Sequence, residues 1–312
     1  MLCIAHRGGA GLFPENTLAA FRNAIALGCE GAELDVQLSK DGEVVIFHDY
    51  RLKPEICRDA AGAWLKKPTP RIKDLTLAEL RSLDIGRADP GSDYARKHAQ
   101  LTARDGERIP TLVEVIELAK AAATPFRLFV ELKTSFADRS LSADPKELAE
   151  ATLRVLRAHG YLECTVLVGF DWPGLLHAKQ LEPGIECWFT TQPQSWFGDS
   201  PPPPEDDPPG EAALQMLRQW ARTGTSPWAA GYDAAQYGGS MLRAMKMAGA
   251  DGWFPMYRDA TPECIAEAHA LGLKVGAWTV DDPTEMGVLI DSGIDAICTD
   301  RPDLLIEIAN CG

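Results

Sequence analysis

Short apolar segments alternate along the chain with segments whose apolar positions recur every three or four residues. The first pattern is typical of buried strands and the second of amphipathic helices. After the first strand, the helical pattern begins at an N-cap, Asn16 or Thr17, continues through Leu18, Phe21 and Ile25, and ends at Gly28. The predicted strands are eight in number and comprise residues 2–6, 32–38, 128–132, 165–168, 186–189, 252–255, 274–278 and 295–298.

Eight strands that alternate with helices predict an α/β fold, a closed (β/α)8 TIM barrel. An open, doubly wound parallel sheet is the alternative that the same alternation allows. The chain has 312 residues, of which 46% are hydrophobic, enough for one large core. We therefore expect residues 1–312 to form a single barrel domain.

Two segments interrupt the alternation. Residues 50–110 form a long insertion after the second strand, and residues 191–230 include four consecutive prolines followed by an acidic run. Connections between barrel strands and helices often lie over the active face, so both segments are candidate lids. For the proline-rich segment, a disordered surface loop is an equally good interpretation.

Strand 32–38 has an apolar face and a face with two carboxylates, Glu33 and Asp35. Asp41-Gly42 follows, which predicts a hairpin with a two-residue turn. Such a turn would place His48 directly opposite Asp35 on the same face. The alternative is a solvated edge hairpin with ordinary surface charges.

Two further strand ends favour a functional site. Glu131 and Lys133 share one face of an otherwise apolar strand, and His6 and Arg7 end the first strand before a pair of glycines. Buried charges are costly unless they are paired, and the carboxyl ends of barrel strands meet at one rim. Three carboxylates without a cysteine cluster suit one divalent cation, Mg²⁺ or Ca²⁺. Cationic side chains bind phosphate, and histidines transfer protons near neutral pH.

The net charge of −14 argues against nucleic acid or an anionic membrane as a partner. No apolar run approaches the length of a membrane span, and the first residues lack the pattern of a signal peptide. The eight cysteines are scattered along the chain, which favours buried thiols over disulfides. These features predict a cytoplasmic enzyme whose substrate is a small molecule; the oligomeric state stays open.

The ordered motifs of the chain resemble the glycerophosphodiester phosphodiesterase family from residue 5 to residue 303. The motifs that carry the resemblance are Ala5-His6-Arg7-Gly8-Gly9, Pro14-Glu15-Asn16-Thr17, Ala20-Phe21, Glu33-Leu34-Asp35-Val36, Asp41-Gly42, His48-Asp49, Ile109-Pro110-Thr111-Leu112, Glu131-Leu132-Lys133, Trp278-Thr279-Val280 and Thr299-Asp300-Arg301-Pro302.

The resemblance implies a TIM-type barrel with a family-specific insertion after the second strand. It implies hydrolysis of a glycerophosphodiester to glycerol phosphate and an alcohol such as choline or ethanolamine, through a cyclic phosphate. The implied site residues are Glu33, Asp35 and Glu131 for the metal, His6 and His48 for acid–base catalysis, and Arg7 and Lys133 for the phosphate. Trp278, at the end of an inner strand, is a further candidate for contact with the substrate.

The chain departs from the common family pattern at Asp281, at Gly169-Phe170-Asp171 and after Asp49. These departures concern the alcohol side of the substrate and none of the metal or proton-transfer residues. Two other functions are considered: cleavage of lysophospholipids at the same site, and binding of glycerophosphodiesters without turnover. The acidic composition counts against the first, and the complete set of histidines and carboxylates counts against the second.

Overall fold

The computed structural model describes residues 1–311, with the side chains of residues 1–204 and 206–310. Eight parallel strands form a closed barrel, because the first strand pairs with both the second and the last. A ninth, short strand pairs antiparallel with the second. The predicted (β/α)8 barrel is confirmed. The strands are β1 Leu2–Ala5, β2 Gly31–Leu38, β3 Val44–Ile46, β4 Arg127–Leu132, β5 Thr165–Gly169, β6 Glu186–Thr190, β7 Gly252–Phe254, β8 Lys274–Ala277 and β9 Ala296–Thr299.

The helices surround the barrel and begin at side-chain caps in most cases. The first helix has Thr17 as its N-cap and ends at Gly28, whose φ of 86° only glycine adopts readily. The helices are α1 Leu18–Leu27, α2 Leu77–Arg81, α3 Asp93–Lys97, α4 Leu112–Lys120, α5 Pro145–Ala158, α6 Trp172–Leu181, α7 Glu211–Thr223, α8 Met241–Ala248, α9 Pro262–Ala270, α10 Pro283–Asp291 and α11 Pro302–Cys311.

The interior of the barrel is filled by a compact aromatic group. Trp188 lies edge-on to Phe129, with ring centroids 5.2 Å apart, and Phe254 packs beside both rings. Gly252 and Gly276 face the Trp188 indole, where a Cβ atom would come within 2.8 Å of the ring. This plug closes the barrel below its carboxyl-terminal rim, so polar side chains collect above it.

The hairpin between β2 and β3 differs from the prediction. Val36 pairs with Ile46, whereas a two-residue turn would shift this register by one residue. The loop comprises residues 40–42, a turn followed by Gly42 at φ 82°, which is the common three-residue hairpin loop. The prediction that His48 lies directly opposite Asp35 is therefore wrong. A shift of one residue turns each side chain of a strand to the other face. The pairing of β2 with β3 therefore does not explain how His48 reaches the rim.

The insertion after β3 has a hydrophobic core of its own. It contains α2 and α3 and packs beside the barrel through the hairpin residues Val45 and Phe47. The buried residues of this insertion core are Val45, Phe47, Leu52, Ile56, Cys57, Ile72, Leu80, Leu83, Ile85, Tyr94 and Ile109. The insertion is thus a packed unit at the rim.

The second excursion, residues 191–230, contains the whole of α7 and is attached to the barrel. Asp206 is 5% exposed, accepts a hydrogen bond from Ser195 and forms an ion pair with Arg258. The backbone amide of Gln194 donates to the carboxylate of Asp259 at 3.0 Å. These contacts favour the interpretation of the segment as an ordered cover over that of a loose surface loop.

The seven cysteines whose side chains are described have free thiols, of which five are buried, as predicted, and two, Cys164 and Cys264, are half-buried. Among residues 1–311, every helix is too short or too polar to cross a lipid bilayer. Since the described cysteines are free, packing in the barrel and in the insertion core stabilises the fold.

We expect Gly252→Ala to destabilise the protein by about 1–3 kcal/mol, because the new methyl group would overlap the Trp188 indole. Gly287→Ala is the control, since this site in α10 has open space around a Cβ atom and should gain up to ~1 kcal/mol. Urea unfolding measures both changes. Equal unfolding midpoints for the two variants would contradict the packing of the barrel interior.

Candidate active site

A pocket of about 1130 Å³ opens at the carboxyl-terminal rim of the barrel. The insertion forms one wall, and the start of the 191–230 segment forms another. The predicted site residues that line it are His6, Arg7, Glu33, His48, Glu131, Lys133 and Trp278. Asp35 lies behind this surface and is 1% exposed. The structure therefore brings all the predicted side chains to one place.

Neighbouring strands hold the three carboxylates together. Asp35 on β2 pairs directly with Glu131 on β4, and Glu33 lies two residues earlier on the same face of β2. One ligand atom from each of the three residues lies within 4.8 Å of the other two. Strand pairing alone therefore fixes the spacing of the cluster.

The three carboxylates of the cluster disfavour one another's ionisation, and the site has unused oxygen atoms. Burial and then the nearby Asp35 carboxylate raise the pKa of Glu33 to about 8. Burial also raises the pKa of Glu131, although the Lys133 ammonium opposes this effect. Asp35 Oδ1 and Asn16 Oδ1 are buried oxygen atoms without a hydrogen-bond partner among the described residues. Oxygen ligands in this number and proximity fit a hard divalent cation, and the residues present could bind one.

Arg7 stands next to the cluster in a left-handed turn with φ 49°. Its backbone amide donates to Glu33 Oε2 at 3.1 Å, and its Nη1 donates to Glu15 Oε1 at 3.1 Å. Its Nε lies 3.4 Å from Asp35 Oδ2. The following Gly8 cannot carry a side chain, because a Cβ atom would lie 2.7 Å from that of Ala20. The tight turn against α1 therefore fixes the guanidinium at the pocket wall.

Lys133 is the second cation of the site and is 9% exposed. Its ammonium donates to Glu131 Oε1 at 2.9 Å and lies 3.6 Å from Asp35 Oδ1. Burial lowers its pKa, but these two carboxylates outweigh burial and leave the pKa above its usual value. Lys133 is therefore charged, and it compensates part of the acidic cluster.

His6 is held by a residue from the opposite end of the chain. Its Nδ1 lies 2.7 Å from Asp300 Oδ1, and its Nε2 lies 3.8 Å from Glu33 Oε2. Burial lowers the pKa of His6, but the Asp300 carboxylate opposes burial and leaves the pKa raised. Asp300 directly follows β9, which pairs with β1, so closure of the barrel creates this contact.

His48 reaches the pocket from the segment after β3. Gln37 Nε2 donates to the carbonyl oxygen atoms of Phe47 and Asp49, at 2.7 and 2.9 Å, and so fixes the backbone on both sides of the histidine. His48 Nδ1 lies 2.6 Å from Asp49 Oδ1. Burial, followed by the positive charge of Arg7, lowers the pKa of His48 well below its usual value. The pKa values of the two histidines are thus shifted in opposite directions from the usual value.

Glu15, Asn16, Tyr94 and Asp300 contact the predicted site residues or one another but were not in the predicted set. Asp300 binds His6, Asn16 Nδ2 donates to Asp35 Oδ2 at 2.7 Å, and Tyr94 donates its hydroxyl to Glu15 Oε2 at 2.6 Å. Asp300 could have been found from its place after the last strand, since that position reaches the rim. Tyr94 belongs to the insertion core, and no sequence pattern connects it with the barrel.

Aromatic and acidic residues that follow β5 and β8 form another part of the pocket wall. Trp278 follows β8, lies edge-on to Phe170 with centroids 5.5 Å apart, and donates its indole N–H to the Phe254 carbonyl. Asp281 accepts hydrogen bonds from the Thr299 hydroxyl and the Asp300 amide. The departures from the family pattern at residues 170 and 281 therefore lie on this wall.

Comparison with known proteins agrees with this arrangement. The model of the glycerophosphoryl diester phosphodiesterase family matches residues 6–196 and 211–304. The chain belongs to this family. A glycerophosphodiester phosphodiesterase of Caldanaerobacter subterraneus subsp. tengcongensis is 29% identical over 311 residues, which cover 100% of this chain and 98% of the relative. The resemblance inferred from the motifs is confirmed, and the enzyme is a glycerophosphodiester phosphodiesterase.

Solved structures of the family share the whole fold. A candidate glycerophosphoryl diester phosphodiesterase from Silicibacter pomeroyi superposes with a TM-score of 0.80 at 29% identity, covering 99% of this chain and 94% of its own. A phosphodiesterase from Oleispira antarctica, solved with the product sn-glycerol-3-phosphate, superposes with a TM-score of 0.68 at 25% identity, covering 99% and 97%. The superposed parts of this chain thus include the insertion, residues 50–110, and the cover, residues 191–230.

We expect Mg²⁺ or Ca²⁺ to raise the Tm of EDTA-treated protein, because a cation relieves the repulsion among three buried carboxylates. At 100 times Kd the gain is about 2.7 kcal/mol. Glu33→Gln should lose most of this gain, while Glu307→Gln, an exposed site on α11, should keep it. Differential scanning fluorimetry measures the shift. The assignment of the cluster fails if Glu33→Gln responds to metal as the control does.

Proposed function

We propose that this enzyme hydrolyses small glycerophosphodiesters, such as glycerophosphocholine and glycerophosphoethanolamine, to glycerol 3-phosphate and the free alcohol. The observation that carries the proposal is the convergence of three carboxylates, two cations and two histidines in one pocket of a family member. The related Oleispira antarctica phosphodiesterase binds sn-glycerol-3-phosphate, which supports the same product here.

In this proposal Glu33, Asp35 and Glu131 hold one divalent cation, Mg²⁺ or Ca²⁺. When bound, such a cation stabilises negative charge on the non-bridging phosphate oxygens. Arg7 and Lys133 bind the same phosphate from the two sides of the cluster, since both already face its carboxylates. The Arg7 side chain keeps Glu15 as a carboxylate partner, and the Lys133 side chain keeps Glu131. Both side chains are therefore oriented before substrate binds.

The two histidines carry the protons. His48, whose pKa is lowered by burial and by the nearby cations, accepts the proton of the glycerol hydroxyl next to the phosphate as that oxygen attacks phosphorus. His6, whose pKa is raised by the Asp300 carboxylate against the effect of burial, donates a proton to the oxygen of the departing alcohol. The product of this step is a cyclic phosphate, and water opens it with the two histidines in exchanged roles.

The pocket walls favour a small polar substrate. Lys53, Lys97 and His98 of the insertion line the pocket, and so do Asp281 and Asp282 after β8. Such charged walls would desolvate poorly against the acyl chain of a lysophospholipid. We propose that Trp278 contacts the organic part of the substrate, because its ring stands on this wall beside Phe170.

We expect metal-loaded enzyme to release glycerol 3-phosphate from glycerophosphocholine, EDTA to abolish release, and Mg²⁺ or Ca²⁺ to restore it. His6→Ala and His48→Ala should each lower kcat by about 10²–10⁴, since each removes a proton-transfer group. His159→Ala, which affects only a surface pair with Glu117, is the matched control and should keep full activity. A coupled assay for glycerol 3-phosphate measures all variants.

Two outcomes would contradict this proposal. One is the absence of turnover on every glycerophosphodiester in the presence of metal. The other is faster turnover of a lysophospholipid than of its deacylated counterpart, which would favour lysophospholipase D activity at the same site.

We expect Tyr94→Phe to raise KM for glycerophosphocholine about fivefold, on the order of 1 kcal/mol, with little change in kcat. Loss of the hydroxyl leaves a buried oxygen of Glu15 without its donor and loosens the carboxylate that orients Arg7. Steady-state kinetics measure the two constants, and inhibition by glycerol 3-phosphate should weaken in parallel.

Tyr161→Phe is the matched control for this prediction. Its hydroxyl is also buried and donates at 2.5 Å to the backbone carbonyl of Phe126, which precedes β4 at the end of that strand away from the rim. We expect this variant to lose stability and keep KM. Equal KM values in the two variants would show that Tyr94 has no influence on Arg7.

A further inference from the structure

A second cavity, of about 200 Å³, lies between the barrel and residues 191–234. It adjoins the active-site pocket, because Gln192 lines both. None of the residues proposed above for metal binding, proton transfer or phosphate binding lines it. This cavity is therefore a separate space beneath the cover.

Aromatic rings form much of the wall of this second cavity. Trp172, Phe197, Trp228 and Tyr232 all line it. The Trp228 ring is held in place by neighbours on several sides, with centroid distances of 5.2 Å to Phe136 and 6.1 Å to Phe197. The backbone carbonyl of Trp228 also accepts a hydrogen bond from the Trp172 amide at 2.9 Å. Contacts within the protein thus fix the aromatic wall of this cavity, and a ligand is not needed to form it.

One charged residue, Asp233, stands among the residues that line this cavity. Its side chain is buried at 4% exposure and accepts one described hydrogen bond, from the Ser226 amide at 3.1 Å. Asp233 precedes a short helical turn, Ala234–Tyr237, but its side chain does not cap that turn. Asp233 is thus a buried carboxylate with one described hydrogen bond, and the residues that line its cavity include no cationic side chain.

Aromatic faces and a carboxylate together recognise an organic cation. The rings attract a cation through their quadrupoles, and the carboxylate adds direct charge compensation. A metal ion would need several oxygen ligands in close array, whereas this cavity offers one carboxylate among carbon surfaces. A neutral apolar molecule would leave the Asp233 charge uncompensated.

We propose that this cavity is a binding site for a small alkylammonium ion, such as choline or ethanolamine, separate from the active site. The binding itself is independent of the reaction. Its connection with the reaction rests on the proposed function, since an alcohol of this class would be released in the adjoining pocket. The site would then retain the alcohol product beneath the cover.

Isothermal titration of the metal-loaded protein with choline tests the proposal, with glycerol 3-phosphate present at saturation to fill the phosphate site. We expect one binding event, which tetramethylammonium reproduces and the neutral isostere 3,3-dimethylbutan-1-ol does not. Asp233→Asn should weaken choline binding at least tenfold, because the amide can still accept from the Ser226 amide but carries no charge. Trp278→Leu, in the active-site pocket, should leave this binding unchanged.

Ala221→Leu is a second variant, which fills the cavity from α7 without removing a polar group. It should abolish choline binding while the Tm is retained. Equal affinity for the neutral isostere, unchanged binding in Asp233→Asn or Ala221→Leu, or loss of binding in Trp278→Leu would each overturn the proposal. Failure of glycerophosphocholine hydrolysis would remove the proposed function and leave this binding result intact.

Discussion

The structure depends on the compensation of charges that are buried above the aromatic plug of the barrel. Three carboxylates lie within 4.8 Å of one another, and two cationic side chains contact them. Each of these groups would be strongly unfavourable alone in such a place. Adjacent strands, the tight turn at Arg7 and the insertion all serve to hold the charges at the distances where they compensate one another. Three carboxylates stand against two cationic side chains, and this excess of acidic groups makes the site suitable for a metal ion.

The barrel could be predicted because it follows from local periodicity, and the same periodicity made Glu33, Asp35 and Glu131 candidates for one rim. Alternation along β2 separated Glu33 and Asp35 from the apolar face, and the structure places that apolar face in the main core. The register of the hairpin could not be predicted with the same certainty. A glycine after aspartate suits both a two-residue turn and the observed loop, and the two differ by one residue in pairing.

Contacts between distant parts of the chain were outside the reach of such reasoning. Asp300 meets His6 across 294 positions because β9 closes the barrel against β1. Asn16 adopts a left-handed conformation, at φ 55°, before it turns its amide to Asp35. Neither contact has a periodic signal, and both require the closed fold. The site is therefore a property of barrel closure as much as of any motif.

The hydrogen bond from Tyr94 to Glu15 has a consequence for how this family can diversify. It joins residues 79 positions apart and connects the insertion core to the carboxylate that orients Arg7. An insertion that supplied no other donor would leave that carboxylate with an unsatisfied buried oxygen. The sequence of the insertion is therefore coupled to the orientation of Arg7 at the barrel rim, and the two parts of this chain are not independent.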